Sequence, residues 1–457
     1  MTPQELLTFP RESSVADVAA GNNVCPVCAR DARDEYVPLV SLGDGLADLI
    51  RANAPDTHDF RAVCARCVRL FERAKDQIIK DAAMQKDGSH VLSTPLRLDA
   101  DDRFTGHGVT IAFLDSGFYP HVDLTTPRNR IIAYRNMLDK EGDLSSLFEP
   151  DVASWHGMMT SVVAAGNGSL SNGFYRGIAP DANVVLVKLA RTGRISDQNI
   201  RNGLSWVLKN SEKYGIRIVN ISAGGDYEAS YLHDPLSAAV EACSAKGIVV
   251  VCAVGNAGHL PNHPVVPPAS APSCIAVGGL DDNNSINRAK RGMYRSSYGP
   301  TIDGLQKPEV IASSIWVPAP ILPNTPTAAQ AELLSKLDKA EDKDLHSIIA
   351  ENPGVDPELD AAFDREVHSI RQIITLKIRR ENVISKSYKY VDGTSFSAPI
   401  VSSVVAQMLE ANPDLDPPAI KRILITTAER LPHYEVDRQG RGVVDSRRAV
   451  EMALDLR

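Results

Sequence analysis

Four short apolar runs, spaced by helix-like segments, constrain this chain more than any other feature. Residues 109–114 lead into Asp115, residues 182–189 and 216–221 follow, and residues 248–254 lead into Gly255-Asn256. Strands made of such runs have no polar face, so both of their faces must be covered. Between them lie helix-like stretches at 157–165, 197–214 and 236–246. Strand and helix in alternation pair in parallel, because each helix supplies the long crossover that parallel strands need. The expected fold is α/β, a doubly wound and mainly parallel sheet with helices on both faces. Such sheets gather ligands beyond the carboxyl ends of their strands, where Asp115 and Asn256 fall.

Residues 1–94 read as a separate N-terminal unit. It holds two close cysteine pairs, Cys25-Pro26-Val27-Cys28 and Cys64-Ala65-Arg66-Cys67. Four thiolates in two such pairs suit structural Zn2+ in tetrahedral coordination, so the unit is expected to be a small zinc-binding domain. Reduced unliganded cysteines and a redox pair are the alternatives, and His58 is a stray candidate ligand. Arginines 30, 33, 61, 66, 69 and 73 are matched by acidic residues 31, 34, 35, 56, 59 and 72, and the whole chain carries a net charge of −8. That balance points to a structural or protein-docking module and away from a nucleic-acid finger. Cys243, Cys252 and Cys274 lie in apolar runs and read as buried thiols. The cysteine usage fits a reducing, cytoplasmic setting. Residues 1–22 show no basic flank before a long apolar run, so no signal peptide is expected, and no stretch has the length of a membrane span.

A polar linker at 86–89 leads to the second unit, 95–457. Its composition shifts at about 317–386, where Pro318, Pro320, Pro323 and Pro326 precede two helical patterns, 328–350 and 357–379. This reads as a helical insertion, acting as a lid or docking element for a regulatory protein partner, or as plain surface decoration. Near the C-terminus, 393–399 reads Gly-Thr-Ser-Phe-Ser-Ala-Pro and runs into an apolar helical stretch. Ser395 is therefore expected at a helix start, where free N–H groups and the helix dipole can stabilise an oxyanion. Pro399 is expected in the first turn, where a missing donor costs nothing. Alone, Ser395 is most simply a capping serine.

Asp115 stands in Leu114-Asp115-Ser116-Gly117, His156 in Trp155-His156-Gly157-Met158-Met159-Thr160, Asn256 in Ala253-Val254-Gly255-Asn256, and Ser395 in Gly393-Thr394-Ser395. Each alone is weak. In the order Asp, His, Ser they resemble the subtilisin-like serine proteases, the subtilases. The resemblance covers about 95–457 apart from the insertion. It includes Gly177-Ile178-Ala179-Pro180, Asn220-Ile221-Ser222-Ala223-Gly224, Pro268-Ala269 with Ile275-Ala276-Val277-Gly278, and Lys307-Pro308-Glu309-Val310.

The resemblance implies a serine endopeptidase acting on protein or peptide substrates through an acyl-enzyme. Ser395 would be the nucleophile, His156 its base, Asp115 the group that orients His156, and Asn256 an oxyanion donor. Ser222, Ala223, Gly224, Ala253, Val254 and Gly255 would line the cleft, with the substrate added as a strand. It also implies a candidate Ca2+ site at Asp123 and the loop 167–173, with only one carboxylate evident. The chain departs from the family pattern at Met158-Met159, Val162, Asp392 and Ser313-Ser314, none of which removes a catalytic group. Asp392 is either a tuning carboxylate or a solvent-facing turn residue. The alternative function is a catalytically silent subtilase fold that holds a peptide. For restraint of the enzyme, one reading has the zinc module or the segment 92–97 occlude the cleft until a partner binds or it is cut; the other has the module as a fixed structural domain.

Overall fold

The computed structural model describes residues 25–27, 35–52, 60–80, 91–139, 144–148, 151–192, 194–225 and 227–457. Cys28, His58 and the linker 86–89 lie outside them. Residues 1–76 with 287–289 form one compact unit, and 77–286 with 290–457 the other.

The small unit pairs β1 (Tyr36–Pro38) antiparallel with β2 (Ala62–Cys64). Between them lies α1 (Asp44–Ala52), and α2 (Ala65–Lys80) follows directly on β2. Leu39, Ile50, Val63 and Phe71 are buried and form its apolar centre.

The large unit is built on an eight-stranded sheet. In chain order its strands are β3 (Thr110–Asp115), β4 (Ile131–Asn136), β5 (Asn183–Lys188), β6 (Ile216–Ile221), β7 (Val249–Ala253), β8 (Ile275–Asp281) and β9 (Val310–Ser313). They lie side by side as β9-β8-β7-β6-β3-β5-β4, all parallel, with the short strand Gly292–Met293 antiparallel to β8. From β3 the chain winds one way through β5 and the other way through β6. The carboxyl end of β3, which is Asp115, therefore sits at the switch point where such sheets open a crevice.

Alternate residues of β3 serve the two faces, as the period of a strand requires. Ile111 and Phe113 join one core with Val163 and Val404, whereas Ala112 and Leu114 join the other with Leu204 and Val240. The first core is covered by α3 (Ser154–Ala165) and a long helix that begins at Thr394. The second is covered by α4 (Asp197–Tyr214) and α5 (Pro235–Ala245). The sequence marks these helices well. Ser196 and Asp234 accept hydrogen bonds from the first turns of α4 and α5, and Gly215 ends α4 at φ +60°.

The insertion leaves on β10 (Val317–Pro320) and returns on the last strand, β11 (Tyr388–Val391), which pair antiparallel. Between them lie α6 (Pro326–Lys339) and α7 (Val367–Arg380), around their own apolar core. The first helical pattern is broken where one helix over 328–350 was expected: α6 stops at Lys339 and a short helix resumes at Leu345–Ala350. Arg371 explains the stop. Its guanidinium donates to the carbonyls of Leu337, Asp338 and Ala340, groups that the end of a helix leaves unpaired.

The segment 92–97 does not cover the cleft. Residues 91–100 are buried, and Arg97 pairs with the buried Asp282 and donates to the Trp316 carbonyl at 2.9 Å. Trp316 has φ +58°, a conformation that a bulky residue holds only when its surroundings impose it. The segment is thus a fastening that fixes the base of the insertion.

Candidate active site

The site forms where the strand ends of β3 and β6 meet the starts of two helices. Asp115 is 1% exposed. Its Oδ1 accepts from the Ser116 N–H at 2.7 Å and lies 2.7 Å from His156 Nδ1. Its Oδ2 accepts from Thr160 Oγ1 at 3.1 Å. Thr160 is four residues after His156, on the same side of α3, so one helix face grips the carboxylate twice. That spacing was the available signal for Thr160. Gly157 makes the close approach feasible, because a Cβ there would stand 2.2 Å from the Gly117 carbonyl oxygen.

Burial pulls the His156 pKa down, and the charge and hydrogen bond of Asp115 more than reverse this, leaving it above the ordinary histidine value. With Nδ1 committed to Asp115, Nε2 is the nitrogen left for chemistry.

Ser395 is the second residue of α8 (Thr394–Ala411). Gly393 turns the chain into the helix at φ +128°, which a residue with a Cβ would find strained. Pro399 lies inside the helix, not in its first turn as expected. Its missing N–H would have bonded to the carbonyl four residues back, that of Ser395. Ser222 Oγ donates to that carbonyl instead, at 2.8 Å. The loss of one helical bond thus ties the loop after β6 to the serine. Ser395 Oγ donates in turn to the Ser222 carbonyl at 3.3 Å. Asn256 Oδ1 accepts from Thr394 N–H at 2.9 Å and Thr394 Oγ1 at 3.0 Å. This clamps the amide against the start of α8 and leaves Nδ2 as a donor beside the Ser395 N–H.

A cleft of about 310 Å³ is lined by Asp115, His156, Ser222, Ala223 and Gly224, together with Trp155, Arg194 and Ile195, which the sequence had not singled out. Ala253 and Val254 are 7% and 3% exposed and belong to the cores, so they back the site and do not line this cleft. Gly255 donates its N–H to Thr394 Oγ1 at 3.2 Å. Asp392 accepts from the Tyr294 hydroxyl at 3.3 Å and lies 3.8 Å from Arg295, which makes it a surface residue.

Asp123 is fully buried, and its surroundings do not fit a calcium ion. Oδ2 accepts from the Tyr388 hydroxyl at 2.6 Å, and Oδ1 from the Leu170 N–H at 3.4 Å. Arg130 donates to its main-chain carbonyl. A hard dication needs six or more oxygens, and here protein donors, one of them a guanidinium, already hold the acceptors.

Cys25, Cys64 and Cys67 come together in the small unit, with all three Sγ atoms within 4.8 Å of one another and all three residues buried. Cys25 Sγ and Cys67 Sγ are 3.8 Å apart. Ligands about 2.3 Å from a tetrahedral zinc stand about 3.8 Å from each other, so the donor set fits. The Cys64 and Cys67 amides point at Cys25 Sγ and Cys64 Sγ, each at 3.5 Å, and Cys67 lies in the first turn of α2, where a thiolate is favoured.

A carboxylate-oriented histidine, in a cleft whose Ser222 wall is hydrogen-bonded to a serine at a helix start, has the parts of a nucleophile–base hydrolase site. The subtilase family model matches residues 106–445, and the chain belongs to that family. It is a subtilisin-like serine protease. It is 29% identical to the serine protease AprX of Bacillus subtilis (strain 168) over 401 residues, 86% of this chain and 76% of that protein. It is 31% identical to the M-protease of Shouchella clausii (strain KSM-K16) over 302 residues, 62% of this chain and 72% of the relative. In fold it is similar to a protease structure from Pseudoalteromonas arctica PAMC 21717, with a TM-score of 0.53 at 22% identity, covering 81% of this chain and 96% of that one.

Proposed function

We propose that the chain is an endopeptidase in which Ser395 Oγ attacks the scissile carbonyl and forms an acyl-enzyme. His156 Nε2 takes the serine proton and passes it to the leaving amine. Asp115 holds the imidazole in one tautomer and stabilises its charged form. Asn256 Nδ2 and the Ser395 N–H receive the oxyanion. The observation that carries this reading is the 2.7 Å contact between His156 Nδ1 and the buried Asp115, made in the cleft that Ser222–Gly224 line. Ser395 Oγ, resting on the Ser222 carbonyl, rotates to Nε2 when substrate enters; apo hydrogen bonds of this kind tighten only in the complex.

The three described thiolates and Cys28 would hold a structural zinc. The burial of the described cysteines, three of them in a zinc-type cluster, supports a reducing, cytoplasmic setting. The small unit and the insertion are the surfaces we assign to a regulatory protein partner. Cleavage of a peptide library by wild type, and its loss in Ser395→Ala and His156→Ala, tests the central reading; cleavage that survives Ser395→Ala overturns it.

A further inference from the structure

We infer that a second cavity, next to the cleft, receives a side chain of the substrate on the leaving-group side and selects a bulky apolar residue there. This rests on the protease reading of Ser395 and His156. The cavity has a volume of about 600 Å³, within the usual range for ligand pockets. Three parts of the chain wall it. Val152, Trp155 and Met159 come from α3 and the turn before it, Leu322 and Pro323 from the start of the insertion, and Val391 from the strand that leads to Ser395.

Trp155 belongs to both cavities. Its ring meets His156 edge-on, with centroids 5.2 Å apart at 86°. A peptide laid along Ser222–Gly224 gives its leaving amine to His156. Trp155, next to His156 and shared by both cavities, is where the inference puts the chain beyond that amine, and the second cavity lies against it. Val152 and Trp155 are 79% and 45% exposed, apolar surface that a substrate side chain would cover.

The rim adds a charge preference. Asp151 is neutralised by Lys188 Nζ at 2.5 Å. Lys389, also on the rim, forms no ion pair among the described residues. The cavity therefore suits an apolar side chain with an acidic neighbour.

The test uses full-length protein and internally quenched peptides that share one acyl side and vary in the three residues after the scissile bond. Replacing leucine by alanine at one of these positions should lower kcat/KM about ten-fold or more, the usual worth of burying such a side chain. Thr327 stands exposed at the mouth, and Thr327→Trp fills it, so the leucine-to-alanine ratio should collapse toward one. Lys389→Glu should reverse the preference between acidic and basic neighbours. Equal rates for all leaving-side residues, or a ratio unchanged in Thr327→Trp, overturn the inference. If wild type cleaves none of the peptides, the protease reading is what fails. The cavity is then judged by fluorescence anisotropy, using labelled leaving-side peptides and the Ser395→Ala protein. Tighter binding of the leucine peptide supports the subsite; equal binding of both overturns it.

Discussion

Tyr388→Phe removes one oxygen and asks whether the protein has replaced a family metal site with its own side chains. The hydroxyl sits 2.6 Å from Oδ2 of a fully buried aspartate, Asp123. Burial first, then the Asp123 charge, drives the phenol pKa well above its ordinary value, so Tyr388 remains a donor at any working pH. A hydrogen bond to a charged group contributes about 1.5–3 kcal/mol, and the variant leaves that carboxylate oxygen short of a donor. Unfolding entropy of about 2.1 cal/mol/K per residue, over the roughly 380 residues of the large unit, gives about 0.8 kcal/mol/K. The expected fall in Tm is thus about 2–4 °C. Scanning calorimetry of wild type and variant, each with calcium and with a calcium chelator, is the assay. The variant should melt lower and wild type should ignore the chelator. An ion bound at one hundred times its Kd would stabilise by about 2.7 kcal/mol, or about 3 °C here. A chelator-induced drop of that size in wild type would refute the reasoning.

Asp115→Asn should reduce kcat by on the order of 10⁴, the loss seen when another Ser-His-Asp enzyme loses its carboxylate. It should also move the acid limb of the kcat/KM profile to lower pH, because burial then acts on His156 without the opposing charge. In wild type that limb should lie above the ordinary histidine value, since His156 must be neutral to act as base. The sign for stability is opposite: a raised folded pKa favours the fold below the unfolded value, and the benefit fades as pH rises through the folded one. Arg97→Ala should destabilise the large unit by about 3–5 kcal/mol in denaturant titration, because it leaves the buried Asp282 without its charged partner. Cys64→Ser should lower the zinc content of the purified protein, measured by elemental analysis, from about one ion per chain toward zero.

The sheet was legible because four apolar runs leave few ways to be buried, and Asp115 ends one of them. The serine helix was legible from Gly393 and the apolar stretch after Ser395. Its detail was not: Pro399 is tolerated inside the helix because Ser222, 173 residues before Ser395, satisfies the freed Ser395 carbonyl. Tyr388 and Asp123 are 265 residues apart, and neither position marks the other. Arg97 stood in a segment read as a candidate cover for the cleft, because its partners, Asp282 and Trp316, lie far along the chain. The break after Lys339 hides for the same reason, since its cause is Arg371 on another helix. Period and spacing report what neighbours in sequence do; these features are set by side chains that meet only in the fold.

Intact mass of the purified chain, before and after a fluorophosphonate that labels activated serines, tests the central claim most directly. The account predicts one adduct per chain, on Ser395, and none in Ser395→Ala. An unmodified wild-type mass, or an adduct that persists in Ser395→Ala, would contradict it.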